Sequence, residues 1–334
     1  MTQIVLGASV GEAVLGKKMG NTAILWGGLA GTLPDLDVFI RLFTNEITAT
    51  YLHRGFSHSL AFCVIAAPLL GWLAHKIHSK REATRKNWSW MFFWCLVTHP
   101  LLDVQTTYGT QFLWPLENRL AFKNVFVVDP LYTVPFLILL VITMFYKRTS
   151  PTRRKWNKWA LIISNSYLFL TLIFKSVGYF KFKDSLEQNG VTSYVRMDTQ
   201  PTPLNSILWN AQVETETGYI AGYYSLFDSK EVSFLREIPK NHQLLDPYSN
   251  QKAVQQLLKI SSGWYSVEKE GDGFVFTDIR FGQFGFDDEA PYVWKWKLEK
   301  NPDGKIEVNR HNPPSGNQDF SKALEELKKR IKGN

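Results

Sequence analysis

Residues 53–86 read HRGFSHSLAFCVIAAPLLGWLAHKIHSKREATRK, and three features of this stretch decide the fold. Its middle, 57–75, is an apolar run close to the roughly 20 residues that a helix needs to cross a bilayer at about 1.5 Å per residue. Its end, 76–86, is strongly basic, the composition of a cytoplasmic loop. Its start places two histidines and an arginine at the mouth of the apolar run, where ionisable groups are costly and usually functional.

Working outward, 22–43, 128–146 and 157–178 are comparable apolar stretches, and 88–103 is a shorter one that opens on Trp88 and Trp90. The segment 3–16 is short for a span and reads as a re-entrant or tilted piece packed inside the bundle. Its Gly7, Gly11 and Gly16, with Gly27, Gly28 and Gly31 in the next segment, allow two helices to approach closely. The basic segments 76–86 and 147–158 and the Lys17-Lys18 pair belong on the cytoplasmic side. The loops 44–56 and 104–127 then lie outside, as does everything after about 180.

The chain has 334 residues, 45% of them hydrophobic, and a net charge of +8. Residues 1–178 hold 18 Lys and Arg against 8 Asp and Glu, and the remainder holds 20 against 22. The basic excess therefore sits in the apolar half, which excludes a soluble nucleic-acid binder and a disordered protein. Cys63 and Cys95 both lie in apolar runs, so a disulfide framework is excluded. The N-terminus lacks a basic leader, and a cleaved signal peptide is not expected. After 178 the pattern changes. VTSYVRM (191–197), LWNAQVETETGYIAGYYSLF (208–227), GWYSVEKE (263–270), GFVFTDIRFG (273–282) and YVWKWKLEK (292–300) read as strands, with turns at Asp272-Gly273 and Asp303-Gly304. Helices are expected at 250–261 and 319–333. The predicted architecture is an α-helical multi-pass membrane bundle of about five spans plus a short N-terminal segment (1–178), followed by an α+β extramembrane domain (179–334).

Glu12, Asp35, Asp37 and Asp103 fall inside or at the ends of apolar segments, and His53, His58 and His99 join them. A carboxylate at a span's centre costs about 2.5–3.5 kcal/mol on insertion scales. The topology was assigned from Lys and Arg alone, yet it delivers these carboxylates and imidazoles from three elements to one membrane face. His99 and Asp103, at i and i+4, share a helix face. His53 and His58 fit a loop-to-helix junction, with Gly55 at the bend and Ser57 as the N-cap. Pro34 breaks the helix around Asp35 and Asp37, so both can face inward, or one stands behind the ligands and supports them. Imidazole and carboxylate without thiolate suit Zn²⁺, Mn²⁺, Fe²⁺ or Co²⁺, and the donors suffice for one or two ions. Glu12 reaches the cluster only if its segment is re-entrant or tilted. Arg54 is placed to orient an anionic substrate, or else to meet a headgroup. Asp129-Pro130 reads as a helix N-cap followed by Pro at N1. His75, His78, His242 and His311 read as structural.

Thr2-Gln3, Gly11-Glu12, LPDLD (33–37), HRGFSHS (53–59) and THPLLD (98–103) together resemble the YdjM-like, LexA-regulated inner-membrane metal-dependent hydrolases, in particular longer bacterial members with an appended C-terminal domain. The resemblance covers about residues 1–180. It implies a multi-pass protein of the bacterial plasma membrane with a metal site at Asp35, Asp37, His53, His58, His99 and Asp103, with Glu12 in the N-terminal motif. The expected activity is hydrolysis of a lipid or amphiphile, such as a phosphoester, through metal-activated water at the outer leaflet. Asp35 or Asp37 is the expected base, with Arg54 near the substrate's anionic group. The alternative is a non-catalytic membrane protein whose polar or metal cluster is structural or an ion pathway, and whose outer domain binds a partner. A metal position open to solvent separates the two.

Overall fold

The computed structural model describes residues 1–311 and 320–333, in two compact units. The first comprises Met1–Phe39, Leu52–Leu172 and Pro203–Asn205; the second comprises Ile40–Tyr51, Ile173–Thr202 and Ser206–Asn334.

In the first unit, α1 (Thr2–Met19) and α2 (Asn21–Ala30) form a tight antiparallel pair turned at Gly20, whose φ of 58° suits glycine. The pair depends on missing side chains. A Cβ on Gly7 would lie within 2.3 Å of the Gly27 carbonyl, and one on Gly11 within 2.4 Å of the Ala23 carbonyl. The helix after α2 breaks where Pro34 enters, and Pro34–Leu42 continues as a 3-10 helix. After α3 (Glu46–Leu52) and a short 3-10 turn at Phe56–His58, α4 (Leu60–Ile77) begins. Its N-cap is Ser59, which accepts from the Phe62 amide at 3.1 Å, rather than Ser57. Thr84 and Asn87 close a reciprocal capping box at the start of α5 (Arg85–Asp103). Asp129 caps α6 (Pro130–Met144), accepting from the amides of Leu131 and Tyr132 as the Asp-Pro pair predicts. The 38-residue α7 (Pro151–Gln188) follows.

Helices α4 and α7 are long and apolar enough to cross a membrane. Helix α2 and the Pro34–Leu42 helix qualify together as one span bent by 44°. The count is thus two, or three with the bent pair, against about five expected. Two physical reasons account for the gap. Helix α6 has 15 residues, about 22 Å of helix against a hydrocarbon core near 30 Å. Helix α5 carries Arg85, Lys86, Asn87, His99 and Asp103, which dilute its apolar content. The 3–16 segment is in turn longer than expected, an unbroken helix to Met19. On α4, Val64, Ile65, Leu69, Trp72, Leu73 and Ile77 are exposed, as side chains facing lipid would be.

The second unit holds two four-stranded antiparallel sheets in meander order. The first is β1 (Arg196–Pro201), β2 (Leu208–Glu214), β3 (Gly218–Ser225) and β4 (Ile238–Pro239). The second is β5 (Tyr265–Glu270), β6 (Gly273–Asp278), β7 (Lys295–Lys300) and β8 (Ile306–Arg310). The long 208–227 stretch is a hairpin, and VTSYVRM is strand only from Arg196 onward. Trp209, fully buried on β2, packs with Phe182 from the last turns of α7. Glu214 shows the electrostatics of this unit: burial pushes its carboxyl up, but Lys240 and Arg196 bond to it and hold it below the usual range. Helix α8 (Lys252–Ser261) matches the expected 250–261, and Thr48 of α3 bonds its Gln256 at 3.2 Å. Helix α9 spans Phe320–Ile331; the expected start at 319 lies outside the described residues.

The α1–α2 packing makes a direct prediction. Gly27→Leu drives a side chain into the backbone of Gly7 and should cost about 1–3 kcal/mol, read as a lower unfolding temperature in detergent. Leu25→Ala, at a site 62% exposed on the same helix, should change stability by less than about 0.5 kcal/mol.

Candidate metal centre

The Pro34 break turns the Asp35 and Asp37 carboxylates toward the HRGFSH segment and the end of α5. Four atoms converge there: Asp35 Oδ1, His58 Nε2, His99 Nε2 and Asp103 Oδ2. His58 Nε2 and His99 Nε2 are 3.2 Å apart, and Asp35 Oδ1 is 3.4 Å from each. Asp103 Oδ2 is 3.3 Å from His58 Nε2 and 3.5 Å from His99 Nε2. In a tetrahedron with metal–ligand bonds of about 2.0–2.1 Å, ligand atoms stand about 3.3–3.4 Å apart. Five of the six separations therefore match those of a four-ligand ion site, and all four atoms lie within 4.8 Å of one another.

The surrounding hydrogen bonds say what these atoms carry. His99 Nδ1 donates to the Gly31 carbonyl at 2.7 Å, so in the neutral ring its Nε2 presents a lone pair to the centre. Ser57 Oγ donates to Asp37 Oδ2 at 2.6 Å and is left to accept from His58 Nδ1 at 2.9 Å. In the neutral ring His58 Nε2 then also carries a lone pair. Two imidazole lone pairs and two carboxylate oxygens face one another, and Asp103 Oδ2 is buried without a hydrogen-bond partner among the described residues. In that state the group repels itself unless a bound cation lies within it; protons on the rings would serve in its place. A carboxylate or a backbone carbonyl behind each ligating histidine is also the usual support of a metal site.

The remaining motif residues support the cluster without joining it. Asp37 accepts from His53 Nδ1 at 2.7 Å, from the Arg54 amide at 3.0 Å and from Ser57. It therefore holds the histidine loop in place. His53 faces Asp37 and not the four-atom centre. Arg54 does not point outward to a substrate. It is buried, with its backbone at φ 57°, Nε 3.1 Å from Asp103 Oδ2 and Nη1 bonded to Thr106 Oγ1 at 2.8 Å. Its charge offsets the buried Asp103 carboxylate. Glu12 lies elsewhere. Because α1 is a continuous helix, Glu12 stands about 13 Å along the axis from Gln3, the α1 residue that reaches the site. Both Glu12 oxygens are held by Arg153 at 2.6 Å in a fully buried pair.

Sequence reasoning missed Gln3, Gly31, Thr106 and the role of Ser57. Gln3 Nε2 donates to Asp103 Oδ1 at 2.9 Å and to the His99 carbonyl at 3.1 Å. The Thr2-Gln3 pair was visible as part of a motif, whereas the Gly31 carbonyl carries no residue signal. His75, His78 and His242 have partners of their own outside the four-atom set. His75 Nδ1 bonds the Ala83 carbonyl at 3.1 Å, and His78 Nε2 accepts from Trp26 Nε1 at 3.0 Å. His242 stacks on Tyr265 with ring centres 3.8 Å apart, and burial pushes its imidazole down.

Every residue of this centre falls within residues 1–177, the stretch matched by the YdjM inner membrane protein family. The chain belongs to the YdjM family. It is 33% identical over 132 residues to the inner membrane protein YbcI of Escherichia coli K12, which spans 36% of this chain and 74% of that protein. No solved structure matches. As a YdjM member the chain is a membrane protein with a His/Asp cluster, and its second unit lies largely outside the matched stretch.

Asp37→Asn removes the charge that orients His58 and His53 but no donor of the four-atom set. We expect it to weaken Zn²⁺ binding about 10–100-fold in a chelator competition titration. Glu12→Gln should leave both affinity and stoichiometry unchanged.

Proposed function

We propose that this YdjM protein is a membrane-embedded, metal-dependent hydrolase of the bacterial inner membrane, acting on a lipid or other amphiphile that carries an ester or phosphoester. His58, His99 and Asp103 would hold one ion, with Asp35 as a displaceable fourth donor. The observation that carries this reading is an asymmetry of exposure. The side chains of His58, His99 and Asp103 are 0–5% exposed, whereas that of Asp35 is 44% exposed. Structural zinc sites are closed by four fixed ligands, and catalytic sites keep three, including His₂-carboxylate sets, beside an open position. Two imidazoles and two carboxylates favour Zn²⁺ over Ca²⁺ or Mg²⁺. When bound, such an ion acidifies water and polarises a carbonyl or phosphoryl oxygen.

The chain's own groups divide the remaining work. Asp35, at the solvent side of the cluster, accepts the proton of the attacking water. Asp103 stays ionised, with Arg54 beside Oδ2 and Gln3 on Oδ1. Asp37 and the Gly31 carbonyl hold the two imidazoles with Nε2 inward. Leu36, Phe39, Phe56, Leu113 and Trp114 are exposed on the segments that flank the cluster, and Phe56 and Trp114 pack edge to face at 5.0 Å. These apolar side chains support an amphiphilic substrate entering from the bilayer. The basic segments support an outward-facing site.

Asp35→Asn separates catalysis from metal retention. General base work is typically worth 10²–10⁴-fold, so turnover of fluorogenic lipid esters and phosphoesters in nanodiscs should fall at least about 100-fold with the metal retained. Wild-type turnover in Asp35→Asn would remove the base assignment. No turnover by metal-loaded wild type on either substrate class would favour a structural centre.

A further inference from the structure

A second polar feature lies at the opposite end of α1 from the metal centre. Helices α1 and α7 cross here through a buried polar seam. Glu12 pairs with Arg153, and Ser9 exchanges two hydrogen bonds with Asn157, at 2.7 and 3.0 Å. Beside the seam is a cleft of about 490 Å³, within the roughly 300–1,000 Å³ usual for ligand sites. Its lining includes Lys17, Arg154, Lys158, Ala13, Leu161 and Ile162.

The charges in this cleft are ordered along the helices. The pairings Glu12–Arg153 and Ser9–Asn157 show the two helices running antiparallel, so Lys17 stands at the mouth, followed by Arg154 and Lys158. The wall beyond is Leu161 and Ile162. Asn165 also lines the cleft, but its amide is used within its own helix, on the Leu161 carbonyl at 2.8 Å. Glu12 does not oppose an anion, because both of its oxygens are neutralised by Arg153. Lys17, Arg154 and Lys158 are exposed, and none has a hydrogen bond or ion pair among the described residues. Three uncompensated cations at the mouth of a cleft with an apolar depth match one chemical class: a phosphodiester head bearing acyl chains.

We propose that the cleft between α1 and α7 binds an anionic phospholipid, its phosphate at Lys17, Arg154 and Lys158 and an acyl chain along Leu161 and Ile162. The lipid then fills the groove beside the Glu12–Arg153 pair, at the end of the bundle that carries the basic segments. The site is separate from the hydrolase reading and stands without it.

Native mass spectrometry of the full-length protein, released from nanodiscs of equal phosphatidylglycerol and phosphatidylcholine, tests this. Wild type should retain phosphatidylglycerol with at least about tenfold preference. Lys17→Gln/Arg154→Gln/Lys158→Gln should reduce the preference to near parity. Lys80→Gln/Arg81→Gln/Lys86→Gln, which removes the same charge from another basic segment, should keep it. Ile162→Trp, which keeps every charge and narrows the apolar wall, should lower the number of retained lipids and serves if the triple variant does not fold. Equal retention of both lipids by wild type, or equal loss in both triple variants, would overturn the proposal. Displacement of the lipid by millimolar glycerol phosphate would overturn the lipid assignment in favour of a soluble phosphate ester; no displacement supports it.

Discussion

Two imidazole nitrogens 3.2 Å apart, flanked by two carboxylate oxygens, need positive charge between them, from a bound cation or from a proton on a ring. That need is the constraint on which the membrane unit is organised. Each histidine has its outer nitrogen committed, one to the Gly31 carbonyl and the other to Ser57 and Asp37. A cation bound by the same four atoms would join the Pro34–Leu42 helix, the 53–58 loop and the end of α5.

The bundle is arranged so that these three pieces meet. Glycines let α1 and α2 touch backbone to backbone, which brings Gln3 and Gly31 to the same level as His99. The Pro34 break frees the chain to present Asp35 and Asp37 on successive sides of the centre. Arg54, in a left-handed backbone conformation, is held by its amide to Asp37 and by its side chain at Asp103 and Thr106. Strain of this kind persists only where the surroundings over-determine it. The support is therefore polar and rigid around three donors, and the fourth, Asp35, is left accessible.

Much of this was legible in the sequence because charge in an apolar segment is rare enough to be conspicuous. Asp35, His58, His99 and Asp103 all stood out on those grounds, and the i, i+4 spacing correctly paired the last two. Pro34 marked the break. What was not legible depended on backbone or on partners distant in sequence. The Gly31 carbonyl has no side chain to read. Ser57 and Ser59 are equally good caps on paper, and only the bond from Ser57 to Asp37 leaves the cap to Ser59. Glu12 looked like a ligand because its partner, Arg153, lies 141 residues away. Among the described residues two or three of the expected spans meet the length and composition of a crossing helix, because α5 carries polar residues and α6 is short. In the C-terminal unit, 208–227 read as strand, but the turn that divides it into β2 and β3 was not expected. Strand β8, IEVNR, is too short and too polar to register outside its pairing with β7.

The most direct test of the account is the metal content of the protein purified in detergent without chelators, beside a His99→Ala/Asp103→Ala variant of equal folded yield. The account predicts about one transition-metal equivalent per chain in the wild type and none in the variant. A wild type without metal, or a variant that keeps it, would contradict the claim that these four atoms are built around a cation.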